Sequence, residues 1–268
     1  DENAQNQHVY SEAIYPLLEY AMEGGFSTAM VYGQTGSGKT FTMTSMCNQA
    51  AHDIFQLLPE GYIVKLQYLE IVGDQIFDLL NSYALVQLLT ACVGCVHPHP
   101  MVEPQASNEE ELLALIRHGQ LVRSSAATGV HDNSSRSHSI LRIFMHKDRN
   151  TNNEEYNPQS FVFEEGVLTL VDLAGSEHRI DSMYHSAERR KEGAMINSSL
   201  MALKQCIHAR AAGNEHAHIH EYRKSKLTMA LKASLTLPRA RTVVIATLSP
   251  ASKDTEHSLN TLRHACVM

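Results

Sequence analysis

The stretch "VYGQTGSGKTFTM", Val31 to Met43, decides how the rest of the chain folds. Glycines let backbone N–H groups turn inward around phosphate oxygens, and a helix that starts at Lys39 points its positive end at the same place. The spacing Gly33-x4-Gly38-Lys39-Thr40 is that of a phosphate-binding loop. Gly33, Gln34, Thr35, Gly36, Ser37 and Gly38 form the cradle, Lys39 reaches the β- and γ-phosphates, and the Thr40 hydroxyl ligates Mg²⁺. The motif requires a strand before it and a helix after it. Phe26 to Tyr32 reads as a buried strand and Lys39 onward as a helix.

The flanking segments extend the same alternation. Gln7 to Met22 carries apolar side chains at a helical period, with Pro16 as a possible kink. Strands are expected at Tyr62 to Ile71, Ser139 to Met145, Phe161 to Val171 and Thr242 to Leu248, and Gln75 to Leu80 reads as a short apolar segment. Helices are expected at Glu109 to His118 (capped by Ser107 or Asn108), Ser186 to Arg210, Arg223 to Leu235 and Asp254 to Cys266. Ser82 to Pro104 carries no clear period, and Asn150 to Asn157 reads as a polar loop. Strands alternating with helices predict one α/β domain, with a mostly parallel central sheet of about eight strands and helices on both faces. No repeat or linker divides it.

Composition narrows the class. With 268 residues and 43% apolar content the chain can bury a sizeable core. No apolar run approaches the ~18 residues of a membrane span, and Asp1-Glu2-Asn3 does not open a signal peptide. Five cysteines, an odd number without a framework, fit a reducing compartment. Cys92, Cys95, His97 and His99 lie too close together to wrap a zinc tetrahedron and read as a loop or strand edge. The net charge is −7, yet His178 to Leu235 holds ten Lys/Arg against five Asp/Glu. That window is either a solvated surface or a docking face for an acidic partner.

Two further motifs bear on the loop. Val167 to Asp172 is an apolar strand ending in a carboxylate, which is how phosphate-loop enzymes hold the Mg²⁺ shell from across the site. Gly175, three residues on, can offer its N–H to a γ-phosphate. Alone, this is equally a turn with a capping Asp. Asn133 to His138 groups hydroxyls with one Arg, suited to Mg²⁺, water and γ-phosphate, though serine clusters are also ordinary loops and caps.

Taken in order, these motifs resemble the kinesin motor domain, and the resemblance runs over nearly the whole chain. It rests on "YGQTGSGKTFTM", "YLEIVGDQIFDLL" (Tyr68 to Leu80), "SSRSH" (Ser134 to His138), "VDLAGSE" (Val171 to Glu177), "INSSLMALKQCI" (Ile196 to Ile207), "YRKSKLT" (Tyr222 to Thr228) and "SLNTLRHA" (Ser258 to Ala265). The resemblance implies the kinesin P-loop fold and an ATPase that uses ATP and Mg²⁺ and binds microtubules, with no nucleic acid or membrane partner. It places the protein in the cytoplasm on the microtubule cytoskeleton, such as that of a spindle or flagellum.

It also implies roles. Ser137 joins Thr40 around Mg²⁺, with Asp172 acting through water; Ser135 positions the attacking water; Arg136 pairs with Glu177 when both loops close over ATP; Phe41 packs near the adenine. Arg179, Lys204, Arg223, Lys224 and Lys226 become the tubulin-facing candidates.

The chain looks most similar to the internal-motor kinesins that remove tubulin from microtubule ends. Their Lys-Glu-Cys triplet reads Lys204-Gln205-Cys206 here, and Ser198 stands where a Lys is usual. His131 replaces an Asn ahead of "SSRSH". The first strand of kinesins, with its adenine clamp, and the neck are not found in the 268 residues, so a trimmed chain or a sheet one strand short is expected. His216, His218 and His220 alternate along a segment that varies freely among kinesins and are not expected to bind metal. A tubulin-binding module without turnover, and a nucleotidase without a cytoskeletal partner, are the rival readings.

Overall fold

The computed structural model describes residues 5–90, 96–126, 133–148, 165–177, 187–212, 221–266 and 268. Strand β1 (Phe26–Tyr32) lies inside a nine-stranded sheet and runs into the glycine loop; helix α3 (Lys39–Leu57) leaves it. Both bounds match the sequence expectation. Ahead of them, α1 (Asn6–Val9) passes through a π turn at Tyr10–Ile14 into α2 (Tyr15–Met22). Pro16 sits in the first turn of α2. Its missing N–H is absorbed by the wider turn before it, so the expected kink is a change of helical pitch.

The remaining strands are β2 (Tyr62–Val72), β3 (Gln75–Asp78), β4 (Ala84–Thr90), β5 (Val96–His99), β6 (Gln105–Ala106), β7 (His138–Lys147), β8 (Glu165–Asp172) and β9 (Ala240–Ala246). The sheet order is β5-β4-β3-β2-β7-β8-β1-β9, with β6 also on β2. Only β1 pairs in parallel, with β8 and β9; the pairings among β2, β3, β4, β5, β6, β7 and β8 are antiparallel. The expectation of a mostly parallel sheet is therefore corrected to a mixed one. Parallel strands need a crossover, and here the crossovers serve the β1 neighbourhood, while hairpin-like returns build the other side. The unreadable stretch from Ser82 supplies two of those returns, β4 and β5.

Side chains alternate across β1. Ala29 and Val31 face one core, which α2, α3 and α4 (Glu109–Ser125) close with Leu18, Met46, Ala50, Ile54, Leu112 and Ile116. Met30 and Tyr32 face the other, closed by Ile196, Leu200 and Leu203 of α5 (Ala187–Ala211) and by Leu227 and Leu231. Both faces are covered by helices, as the fold class requires. The segment expected as one helix from Arg223 is broken instead. A 3₁₀ turn (Tyr222–Lys224) gives way to α6 (Lys226–Ala230), which Ser225 starts with a capping box to Thr228, and then to α7 (Lys232–Thr236). The last helix, α8 (Thr255–Ala265), follows β9.

Helix α4 runs about two turns beyond the expected His118, to Ser125. Asn108 caps it by accepting from Glu111 N at 2.9 Å, and three glutamates sit in its first turn. Gly119 does not end it, because this glycine lies against the Tyr68 ring, where a Cβ would collide. Helix and sheet approach closely there, and that brings the end of α4 onto the site.

Candidate functional site

Gly36 and Gly38 have φ of +78° and +92°, with open space where a Cβ would stand. This left-handed backbone curls the loop around a concave floor. Lys39 is buried and donates from Nζ to Gln34 O at 2.8 Å, which folds the loop over its own lysine. Ser37 closes the other side, bonding Thr247 Oγ1 at 2.7 Å just past β9. The loop opens on a cleft of about 580 Å³, lined among others by Thr35, Thr40, Ser134, Ser135 and Asp172. Phe41 lies at its edge and is 73% exposed, an apolar ring left in solvent beside a polar cradle.

The register of β1 on β8 places Val31 opposite Asp172, so the strand-end carboxylate meets the loop. Thr40 Oγ1 donates to Asp172 Oδ2 at 2.8 Å. Asp172 is 2% exposed, and its other oxygen, Oδ1, is buried without a hydrogen-bond partner among the described residues. A buried carboxylate oxygen beside a hydroxyl, at the mouth of a phosphate cradle, fits a hydrated divalent cation. The donor set therefore suits Mg²⁺ with a nucleotide. No cluster of three or more His, Cys, Asp or Glu side chains occurs among the described residues. Cys92 and Cys95, and the His216, His218 and His220 group, lie outside them, as does His131.

The "SSRSH" segment reaches the site from β7. Ser134 and Ser135 line the cleft, and Gly175 N donates to Ser135 O at 2.8 Å, so the two motifs are tied backbone to backbone. Ser176 N donates to Gly33 O at 3.1 Å, adding the phosphate loop to the same frame. Ser137 is placed differently from the expected Mg²⁺ position. It is buried, donates to Glu70 Oε1 at 2.5 Å and accepts from Arg123 Nη2 at 3.2 Å. Arg136 and Glu177 are also apart. Arg136 Nη1 pairs with Glu192 Oε2 on α5 at 3.0 Å, while Glu177 accepts from Thr35 N at 3.0 Å and from the Thr35 hydroxyl.

Arg123, near the end of α4, escaped the sequence reading. It is 6% exposed and spans Glu70 Oε1 (3.3 Å), Ser139 Oγ (3.0 Å), Asp172 Oδ2 (2.8 Å), and the Ser134 and Ser137 carbonyls (3.3 and 3.1 Å). Burial works against its charge, but the Asp172 and Glu70 carboxylates hold the guanidinium above its ordinary value. A signal was present in the chain. Arg123 continues the buried stripe Leu112, Ile116, Gly119 on α4, and Glu70 interrupts an apolar strand. A cation and an anion each on a buried face call for one another.

The tubulin-facing candidates divide. Arg179 lies outside the described residues. Arg223 and Lys224 are exposed; Lys224 bonds Glu221 at 2.6 Å and Gln205 Oε1 at 3.1 Å. Lys226 is half-buried. Lys204 turns inward, 2.5 Å from His264 Nδ1 and 5.4 Å above the Tyr32 ring, and burial draws its ammonium down to about 8.

Comparison with known proteins follows the same lines. The family description "Kinesin motor domain" matches residues 1–268. The chain is 37% identical over 270 residues to kinesin-like protein KIN-13B of Arabidopsis thaliana, covering 99% of this chain and 38% of that one. It is 37% identical to diatom spindle kinesin-1 of Cylindrotheca fusiformis, covering 98% and 40%, and 38% identical to kinesin-like protein KIF24 of Mus musculus, covering 98% and 19%. The chain thus spans two fifths or less of these relatives' length. Among solved structures, the C-terminal motor and motor homology domain of Kar3Vik1, fused to a synthetic heterodimeric coiled coil, superposes with a TM-score of 0.82 at 30% identity, covering 99% of this chain and 69% of that one.

Proposed function

The chain belongs to the kinesin motor domain family, and from that premise we propose that it is a microtubule-binding ATPase, coupling ATP hydrolysis to movement along microtubules or to disassembly of their ends. The observation that carries the catalytic half is the Thr40–Asp172 pair with its orphaned Oδ1, set against the Lys39 cradle. The likeness to a KIN-13 protein favours end disassembly, and Gln205, where that class has a Glu, is the departure that separates the two outcomes. Microtubules are then its place in the cell.

Each residue has work that its position supports. Backbone N–H groups of Gly36 to Thr40 bind phosphate oxygens, and Lys39 turns from Gln34 O onto them. Phe41 covers the base side, where its exposed ring gains by burial. Thr40 and, through water, Asp172 would hold the cation, with Ser137 joining once it leaves Glu70. When bound, Mg²⁺ neutralises charge between the transferring and leaving phosphates. Ser135 orients the attacking water from the cleft wall.

Arg136 and Glu177 each exchange one partner. Arg136 leaves Glu192, Glu177 leaves Thr35, and they pair with one another when both loops close. The exposed pairing to Glu192 is worth little, so the exchange is inexpensive. Co-sedimentation of the chain with polymerised tubulin, in ATP and in a non-hydrolysable analogue, tests the partner. Nucleotide-dependent pelleting is expected; a chain that stays in the supernatant in both states refutes it.

A further inference from the structure

His138 is the buried last residue of "SSRSH", 3% exposed, and neither the phosphate cradle nor the cation site uses it. It has two partners on different elements. Ala174 N donates to its Nδ1 at 3.0 Å, and its Nε2 lies 2.8 Å from Ser199 Oγ on α5. An amide N–H can only donate, so Nδ1 must be the unprotonated nitrogen and Nε2 carries the hydrogen. Nε2–H therefore donates to Ser199, whose hydroxyl in turn donates to Ile196 O at 2.7 Å. All three bonds run in one direction, from the 172–175 loop through the imidazole into the backbone of α5.

We propose that His138 is a positioning residue that couples α5 to the Asp172–Gly175 loop, so that a displacement of α5 by its partner resets the loop carrying the cation ligand Asp172 and the Gly175–Ser135 tie. The partner half of this inference rests on the microtubule reading above. The geometry favours rigid transmission. Ala174, Leu173, Ile196, Leu200 and Leu203 belong to one packed cluster, so neither end of the bridge can slacken independently. The imidazole is held as the neutral Nε2–H tautomer by the amide donor on one side and the Ser199 hydroxyl on the other. Ser199 is buried one residue after the exposed Ser198, and it touches the bridge without lining the cleft.

The test uses Ser199→Ala, Ser199→Thr and His138→Asn. Asn can accept from Ala174 N, as Nδ1 does, but cannot reach Ser199. Ser199→Ala is expected to keep basal ATP hydrolysis within about twofold while microtubule stimulation falls about tenfold, a coupling of ~1.4 kcal/mol. Ser199→Thr, which keeps the hydroxyl, restores it. His138→Asn should show the same loss, and combining it with Ser199→Ala should add nothing; this variant serves if Ser199→Ala does not fold. Full stimulation in Ser199→Ala overturns the proposal. So does a loss of stimulation matched by lost microtubule affinity, since the break then lies at the docking face. A second arm needs no tubulin. Amide hydrogen exchange at Ala174 should quicken about tenfold in Ser199→Ala, and unchanged exchange refutes the bridge. A wild-type rate indifferent to microtubules, with Ala174 exchange still quickened, would sink the microtubule reading and leave the bridge standing.

Discussion

Replacing Arg123 by methionine removes a guanidinium whose side chain is only 7% exposed, at the wall of the cleft. The methionine fills part of the space but leaves Glu70 and Asp172, whose side chains are each 2% exposed, without their cation. Breaking a buried pair from one side costs about 3–5 kcal/mol, because the remaining charge stays desolvated and unpaired. Against a whole-domain stability of ~5–15 kcal/mol this is a large fraction. At roughly 2–4 °C per kcal/mol for a chain of this size, the melting temperature should fall by about 10 °C. Differential scanning calorimetry at pH 7 reads the shift. Glu70→Gln added to Arg123→Met should recover part of it, since one unpaired carboxylate then becomes a neutral amide. A melting point within about 2 °C of wild type would refute the reasoning, and so would a double variant less stable than the single one.

Glu177→Ala should leave ATP binding intact, since the cradle and Lys39 do not need the carboxylate, while hydrolysis drops about 10²–10³-fold for want of the closed Arg136 pair. Unchanged phosphate release in that variant would remove Glu177 from the mechanism. Acid sensitivity should trace to His138. Its folded-state value of about 3 lies below the ordinary 6.5, so between those values the unfolded chain takes up a proton that the folded one refuses. Stability is then full above pH ~6.5 and falls by up to about 1.4 kcal/mol per unit as pH drops towards 3. His138→Asn should flatten this slope between pH 6 and 4 in thermal melts; an equal slope would assign the sensitivity elsewhere.

Local chemistry made the centre of this protein legible. Residues 26 to 40 form a strand, a glycine turn and a helix start whose bounds agree with the reading, because each is written in adjacent side chains. Asp172 could be placed across from the loop because an apolar strand ends in it. Strand direction was not legible: whether Tyr62–Val72 runs with or against its neighbours depends on pairing with residues some seventy positions away. The β4 and β5 strands were hidden because their exposures follow an edge hairpin rather than a buried period. Arg123 and His138 were missed for another reason. Each acts through partners on separate segments, two for His138 and more for Arg123, and only the folded chain brings Glu70, Ser139, Ala174, Asp172 and Ser199 to them.

Lys204 shows the limit of reading charge. It was expected at a docking face as one cation in a basic window, yet it is turned onto Tyr32 and His264. Among the described docking candidates the exposed charges are Arg223 and Lys224, and Gln205 is engaged with Lys224. A docking face built there would be set by the turn before α6 as much as by α5 itself.

We propose above all that one cleft hydrolyses ATP under the control of a microtubule. Steady-state phosphate release in Mg²⁺ and ATP, measured with and without polymerised tubulin, tests it most directly, with Lys39→Ala as the reference for a broken cradle. A slow basal rate is expected, raised at least tenfold by microtubules and abolished in Lys39→Ala. A wild-type rate that microtubules leave unchanged, or one that survives the loss of Lys39, would contradict it.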